Sequence, residues 1–243
     1  MISRRLLVLA AVLALPGLVL TAGGSVAQSL PRQSPINITA AALRADWPSS
    51  PLRIDYGWTD VSLEYVSRDG DRAVRGEEET EQGMVEPGAG RVALAGVRYD
   101  LVQFHFHTPA EHRFGGLAAP MELHLVHRDA TGKLLVIGVP LVVGGGGSTV
   151  DTVLRTLAPE CGPAVAVGRI DLNGLLPAER SSLRYDGSLT TAPFTEGVRW
   201  VLMREKHVAA ATVARFQELF ADGNSRQAQP LNGRGVHIEP DVW

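Results

Sequence analysis

The feature that most limits the fold of this chain is a short run of alternating residue types, Gln103-Phe104-His105-Phe106-His107. Successive side chains of a β-strand point to opposite faces, so His105 and His107 share a face with Gln103 while the two phenylalanines share the other. Such a strand requires an apolar core on one side and accommodates a polar site on the other. We therefore predict a strand over residues 101–108 with its chemistry on the histidine face.

Two further segments predict strands. Residues 121–128 alternate between polar and apolar types, and residues 134–143 form an apolar run with the length of a buried strand. The 26 glycines and 15 prolines indicate many turns and favour a mainly β fold of the α+β kind. The other expected elements are two short strands within 91–99, a loop over 144–147, short helices over 150–157 and 208–220, and an exposed charged loop or hairpin over 68–81.

A third histidine completes a candidate metal site. His124 lies in the predicted strand over 121–128, and a catalytic zinc ion takes three protein ligands and keeps a fourth position for water. By the same alternation, Gln103 lies on the face of His105 and His107, and Glu122 lies on the face of His124. Both are suitable acceptors for the ring N–H groups that do not bind the metal. The alternative is that these histidines are ordinary core or surface residues, as an isolated His-x-His pair often is.

Charge and cysteine content exclude several kinds of site. The chain has 243 residues and a formal net charge of −3, which does not suit a nucleic-acid-binding protein. Its single cysteine, Cys161, excludes an intramolecular disulfide and a cysteine metal cluster. Any metal site must therefore use histidines and carboxylates.

The first 27 residues are typical of a signal peptide. Arg4 and Arg5 precede an apolar run over 6–20, and Ser25-Val26-Ala27 forms a small-residue cleavage site. We predict a signal peptide over 1–27, one domain over 28–243, and a periplasmic or extracellular protein without a membrane anchor after cleavage. An uncleaved membrane anchor and export by the twin-arginine route remain open alternatives.

Six motifs make the chain similar to the α-class carbonic anhydrases, in order and spacing from about residue 33 to the C-terminus. The motifs are Gln33-Ser34-Pro35-Ile36-Asn37-Ile38, Gln103-Phe104-His105-Phe106-His107, Ala110-Glu111-His112, Glu122-Leu123-His124-Leu125-Val126-His127, Gly187-Ser188-Leu189-Thr190-Thr191 and Gln229-Pro230-Leu231-Asn232-Gly233-Arg234.

The resemblance implies both a fold and an activity. The fold is a single domain around a large twisted, mostly antiparallel sheet with short peripheral helices, and zinc lies at the floor of a conical cleft. The activity is that of a carbonate dehydratase, in which zinc-bound hydroxide reversibly hydrates carbon dioxide to bicarbonate and a proton. Zinc is the implied cofactor and carbon dioxide or bicarbonate the implied small-molecule partner, while the oligomeric state is not implied.

The resemblance also assigns roles to residues. His105, His107 and His124 are the implied zinc ligands. Thr190 is expected to accept a hydrogen bond from the zinc hydroxide because it donates its own proton to Glu111, whose carboxylate can only accept. The residues expected to line the substrate pocket are Val126, Val136, Leu189, Thr191 and Trp200.

One departure from the family concerns proton transfer. Most active members carry a proton-shuttling histidine upstream of the zinc strand, but no histidine precedes His105 here. Glu79 or Glu81 would be a poorer relay, since a glutamate has a reference pKa of about 4.3. We therefore expect a slower hydratase. Ester hydrolysis by the same zinc hydroxide is a further possible side activity. The alternative function is a zinc-binding or interaction protein on the same fold with little or no hydratase turnover.

Overall fold

Strands make up most of the regular structure of this chain. The computed structural model describes residues 30–45, 50–67, 79–160 and 162–240, and residues 31–240 belong to one compact unit. The predicted signal peptide, residues 1–27, lies outside the described residues, as does Cys161. Within the described residues, no helix is both long enough and apolar enough to cross a membrane.

The described strands are β1 (Asn37–Ile38), β2 (Leu43–Arg44), β3 (Arg53–Tyr56), β4 (Trp58–Val66), β5 (Thr80–Val85), β6 (Gly90–Leu94), β7 (Val97–His107), β8 (Arg113–Phe114), β9 (Leu117–Ala118), β10 (Met121–Arg128), β11 (Leu134–Val143), β12 (Val165–Asp171), β13 (Ser182–Ser188), β14 (Glu196–Met203), β15 (Lys206–Val208) and β16 (Val236–Glu239). The described α-helices are α1 (Thr149–Val153) and α2 (Ala210–Leu219), and short 3-10 turns occupy Ala40–Ala42 and Leu172–Leu175.

One large sheet carries most of these strands. Its order is β12-β4-β5-β7-β10-β11-β14-β13-β16-β2; in addition, β6 pairs with β7 and with β3, and β15 pairs with β11. Most neighbours are antiparallel, but β11 is parallel to β14 and β15, and β16 is parallel to β2. The expectation of a mainly β fold with short helices is confirmed, and the strands predicted over 121–128 and 134–143 have the expected bounds.

The alternation of β7 divides the two faces of the sheet as the sequence predicts. Phe104 and Phe106 are fully buried in the larger apolar core, with their rings edge to face at 5.9 Å. Phe216 of α2 packs its ring 6.1 Å from that of Phe106, so α2 covers this face of the sheet. Burial of these aromatic side chains anchors β7 and leaves its other face for the histidines.

Two motifs that are far apart in sequence pack against each other at the edge of β13. The backbone N–H of Ser34 donates to Ser188 Oγ at 2.9 Å, and the backbone N–H of Ser188 donates to Ser34 Oγ at 3.1 Å. A Cβ on Gly187 would lie 2.1 Å from Ser34 Oγ, so only glycine allows this approach. The first motif therefore fixes the start of the loop that carries Thr190.

Both helices differ from their predicted bounds. α1 starts in a reciprocal capping box between Ser148 and Asp151, but it ends at Val153 rather than near residue 157. The segment predicted as one helix over 208–220 begins instead as strand β15, because Val208 pairs with Val143 of β11. Tertiary pairing overrides the helical pattern at that end.

The expectation of an exposed charged loop reaching residue 81 is wrong at its C-terminal end. Glu79, Thr80 and Glu81 are buried, and β5 pairs with β4 on one side and β7 on the other. Neither carboxylate oxygen of Glu81 makes a close hydrogen bond to the described residues. Burial raises the pKa of Glu81 from 4.5 to about 7, and the backbone of Ala158 only partly offsets the rise.

The buried Glu81 carboxyl predicts a pH-dependent loss of stability. Because its pKa is raised on folding, its favourable contribution is complete below about pH 4.5 and is lost as the pH rises through about 7. At pH 8, Glu81→Gln should therefore raise the free energy of unfolding by about 2 kcal/mol over the parent and unfold at a higher temperature. At pH 5 the gain in stability should be smaller. Thermal melts of Glu86→Gln, at an exposed position on the same segment, supply the control. A Glu81→Gln gain that does not change with pH would contradict the assignment.

Candidate metal centre and catalytic pocket

Three histidine rings converge on the face of the sheet opposite the aromatic core. His105 and His107 lie on β7, and His124 of β10 is paired directly with His105. The ring centroids are 5.0 Å apart for His105 and His107, 5.2 Å for His105 and His124, and 4.7 Å for His107 and His124. One ring nitrogen from each lies within 4.8 Å of the other two, so the three could hold one metal ion.

The opposite nitrogen of each ring is held by an acceptor. His105 Nδ1 donates to Gln103 Oε1 at 2.9 Å, and His124 Nε2 donates to Glu122 Oε1 at 2.9 Å. His107 Nδ1 donates to the backbone carbonyl of Asn224, also at 2.9 Å. These contacts fix the rings so that Nε2 of His105, Nε2 of His107 and Nδ1 of His124 are the nitrogens that can bind a cation.

The residues present fit a zinc ion. His107 Nε2 is buried and makes no hydrogen bond to any described residue. A buried nitrogen without a partner costs free energy unless a metal ion or a hydrogen-bond donor or acceptor binds it. Burial lowers the pKa of both His107 and His124, which favours the neutral imidazole that a metal requires. Three neutral imidazoles with one side open form a typical catalytic zinc donor set.

A second group, His112 with Glu122 and His124, is also close enough for a metal but its donors are already in use. His112 Nδ1 lies 2.7 Å from Glu122 Oε1, and His112 Nε2 lies 2.7 Å from the Tyr185 hydroxyl. Glu122 also accepts from the His112 backbone N–H at 2.8 Å. This group therefore holds the His124 ring in position through Glu122 and is not itself a second metal site.

Glu122 is the ionised carboxylate that orients His124. Burial would raise its pKa, but His112 and His124 outweigh burial and hold the pKa of Glu122 well below its usual range. A carboxylate that remains ionised keeps His124 Nε2 as a donor and orients the ring. Gly138 of β11 makes room for it, since a Cβ there would lie 2.9 Å from Glu122 Oε1.

Glu111 and Thr190 lie beside the histidine cluster. Glu111 is buried, with Oε1 accepting from the Arg226 backbone N–H at 2.9 Å and Oε2 3.8 Å from His124 Nδ1. Burial raises the pKa of Glu111 to about 7, with a smaller contribution from Glu122, while His124, the Arg226 N–H and, least of all, the nearby Thr190 hydroxyl lower it. A divalent cation at the cluster would favour the ionised form of Glu111.

The cavity above the histidines is small and has an apolar side. Its volume is about 190 Å³, and all five residues predicted for the substrate pocket line it: Val126, Val136, Leu189, Thr191 and Trp200. The indole N–H of Trp200 donates to the Ser188 carbonyl at 3.0 Å, so the ring is held in place. Thr190 also lines this cavity, whereas Glu111 and Glu122 lie behind it.

Neither expected glutamate relay lines the cavity. The neighbouring positions on β5, Thr80 and Gln82, do line it. Glu81 lies on the other face of β5 from Thr80 and Gln82, so it points away from the histidines. Glu79 accepts hydrogen bonds from Tyr65 and Ser67 at 3.0 and 3.2 Å. Among the described residues that line the cavity, the histidines are those of the cluster itself.

Asn224 is the functional residue that sequence reasoning missed. Besides its carbonyl contact to His107, its side chain accepts from the Thr108 N–H at 2.7 Å and donates to the carbonyls of Glu79 and Phe106 at 2.8 and 3.0 Å. It lies just after α2, far from β7 in sequence, and no pattern around it indicates the contact. Arg128, at the edge of the cavity, was missed as well.

The comparisons with known proteins agree with one another. The family model of the eukaryotic-type carbonic anhydrases matches residues 25–239. The chain is 38% identical over 151 residues to a carbonic anhydrase of Klebsiella pneumoniae, covering 61% of each protein. It is 32% identical over 208 residues to a carbonic anhydrase of Nostoc sp., covering 84% of this chain and 75% of the relative.

A solved structure supports the same placement. The α-carbonic anhydrase of Photobacterium profundum superposes with a TM-score of 0.73 at 31% identity, covering 85% of this chain and 88% of the other. The similarity therefore extends over most of both chains.

Proposed function

The chain belongs to the eukaryotic-type carbonic anhydrase family, and we propose on that basis that it reversibly hydrates carbon dioxide to bicarbonate and a proton with a bound zinc ion. Membership of this family supports carbonate dehydratase activity. The zinc proposal rests on the buried Nε2 of His107, which has no hydrogen-bond partner among the described residues, within a cluster of three converging imidazoles.

The proposed zinc ligands are His105, His107 and His124. When bound, zinc acts as a Lewis acid that ionises water near neutral pH; carbonic anhydrase is itself the reference example, with a water pKa of about 7. Gln103 and Glu122 hold two of the rings in position, because their oxygens accept from the nitrogens turned away from the cluster.

We assign the orientation of the attacking oxygen to Thr190 and Glu111. An ionised Glu111 can only accept hydrogen bonds, so a Thr190 hydroxyl bonded to it must donate in that direction. The Thr190 oxygen then accepts a hydrogen bond from the nucleophile, which turns a lone pair of the nucleophile toward the substrate. Holding the nucleophile in one orientation lowers the entropic part of the barrier.

The apolar side of the cavity suits a small nonpolar substrate. Val126, Val136, Leu189 and Trp200 offer dispersion contacts and no charged group, which favours carbon dioxide over water at that side. Thr191 lies at the same cavity and can contact bicarbonate as it forms. We propose these roles for the five residues together.

Zinc content and hydratase rate measured on the same samples test this function. The parent protein should bind about one zinc per chain and hydrate carbon dioxide in a stopped-flow assay. His124→Ala should lose most of its zinc and at least about 100-fold in kcat/KM, because a ligand is removed. His207→Ala, at an exposed position, should match the parent in both measurements. A zinc-loaded parent without turnover would instead favour the zinc-binding or interaction protein.

Proton transfer should limit the rate in weak buffers. With no histidine before His105, and with Glu79 and Glu81 turned away from the cavity, the chain lacks a side chain of neutral pKa for this step among the described cavity residues. Imidazole at constant pH and ionic strength should therefore raise kcat several-fold, while kcat/KM for carbon dioxide changes little. A kcat that is already high in dilute buffer and insensitive to imidazole would contradict this.

We also propose that the protein is exported after removal of residues 1–27. The arginines at positions 4 and 5, the apolar run and the Ser25-Val26-Ala27 site support this. Intact-mass measurement of the periplasmic or secreted protein should give a mature chain that begins at Gln28. Recovery of the uncleaved chain in the membrane fraction would favour a permanent anchor instead.

A further inference from the structure

A second cleft, separate from the catalytic cavity, is rich in arginine. Its volume is about 290 Å³, and it lies along β13, β14 and β16, with Trp200 lining both this cleft and the catalytic cavity. We call it the arginine cleft. Its charged walls are Arg32, Arg184, Arg199, Arg234, Asp186 and Glu239.

Two carboxylates oppose four guanidinium groups in the arginine cleft. Asp186 lies 3.9 Å from Arg32, and Glu239 lies 3.4 Å from Arg184, so each carboxylate has an arginine neighbour. The side chain of Arg199 is exposed and makes no hydrogen bond or ion pair to a described residue. The charged side chains of the walls therefore carry a net charge of about +2, counting each group as fully ionised.

Arg234 is a buried cation without a close carboxylate. Its guanidinium donates only to backbone carbonyls, those of Leu231, Asp186, Gln33 and Pro230. It also lies 5.6 Å from the centroid of the Tyr185 ring. Neutral acceptors satisfy these hydrogen bonds, and no carboxylate of the described residues forms an ion pair with the guanidinium.

Arg184 has unused donor capacity. Its Nη1 donates to the Ser50 carbonyl, but its Nε is buried and has no partner among the described residues. Burial lowers the pKa of both Arg184 and Arg234. Glu239 partly restores the pKa of Arg184. Tyr185 and more distant carboxylates partly restore the pKa of Arg234 against the neighbouring charge of Arg32. A bound anion would relieve the desolvation of both groups.

We propose that the arginine cleft binds a dianionic phosphate group, either as free phosphate or as a phosphomonoester. Guanidinium groups present paired N–H donors that match phosphate oxygens, and a dianion would balance the excess charge of the walls. The cleft is roomy enough for a phosphate and part of the molecule that carries it. This site is independent of the proposed zinc centre and does not require hydratase activity.

Titration calorimetry on the full-length protein tests the proposal. Inorganic phosphate and glycerol 3-phosphate are titrated separately at pH 8 and constant ionic strength into the parent, Arg199→Gln and Arg169→Gln. Arg199→Gln removes one exposed wall arginine, and Arg169→Gln removes one exposed arginine on β12 outside the cleft. The parent should bind saturably, Arg199→Gln should bind about tenfold more weakly, and Arg169→Gln should match the parent.

The two probes distinguish the sources of the phosphate. Tighter binding of glycerol 3-phosphate, lost in Arg199→Gln, identifies a phosphomonoester ligand, while equal affinity identifies the free ion. The proposal is wrong if neither probe saturates at tens of millimolar, or if Arg199→Gln and Arg169→Gln bind equally well. Circular dichroism spectra of both variants should match that of the parent, which shows that a loss of binding does not come from unfolding.

Discussion

The register between β7 and β10 is the constraint on which the site depends. His124 lies directly opposite His105, and Glu122 lies opposite His107, so one pairing brings three imidazoles and their supporting carboxylate to the same face. A slip of one residue would move His124 into the aromatic core and Leu123 into the cluster. Burial of Phe104 and Phe106 on the opposite face makes such a slip costly, and the bulge after Val126 lies beyond the histidines. The core therefore fixes the geometry of the site.

Much of the central sheet follows from local patterns, whereas its periphery does not. The alternation predicted a strand over 101–108 and another over 121–128, and with them the face of each histidine, because side chains two apart on a strand share a face. The first strand, β7, starts earlier than predicted, at Val97. The pattern over 208–220 failed at its start, where pairing of Val208 with Val143 makes a strand. The charged composition of the run ending at Glu81 predicted an exposed loop, which is wrong at that end. Composition does not indicate that β5 pairs with β4 on one side and β7 on the other. Burial of Glu81 is a tertiary effect with no local signal.

The candidate site divides in the same way. Gln103 and Glu122 were predictable as hydrogen-bond acceptors, since each lies two residues from a histidine on the same face. Thr190 and Glu111 came from resemblance alone, because nothing local indicates that positions 79 residues apart are neighbours. Asn224 was missed, since a backbone carbonyl acts there and any residue type could supply one. The arginine cleft was missed for a related reason: its walls are spread from Arg32 to Glu239 and meet only through the pairing of β13 with β14 and β16.

We propose that three ring nitrogens, each selected by the hydrogen bond on the opposite side of its ring, bind one zinc ion. A crystal structure of the zinc-loaded protein, with anomalous data collected on both sides of the zinc absorption edge, tests it most directly. We expect one strong zinc peak at about 2.0–2.1 Å from His105 Nε2, His107 Nε2 and His124 Nδ1, with a fourth position open toward Thr190. A peak ligated by His112 or Glu122, or no peak within the cluster, would contradict it.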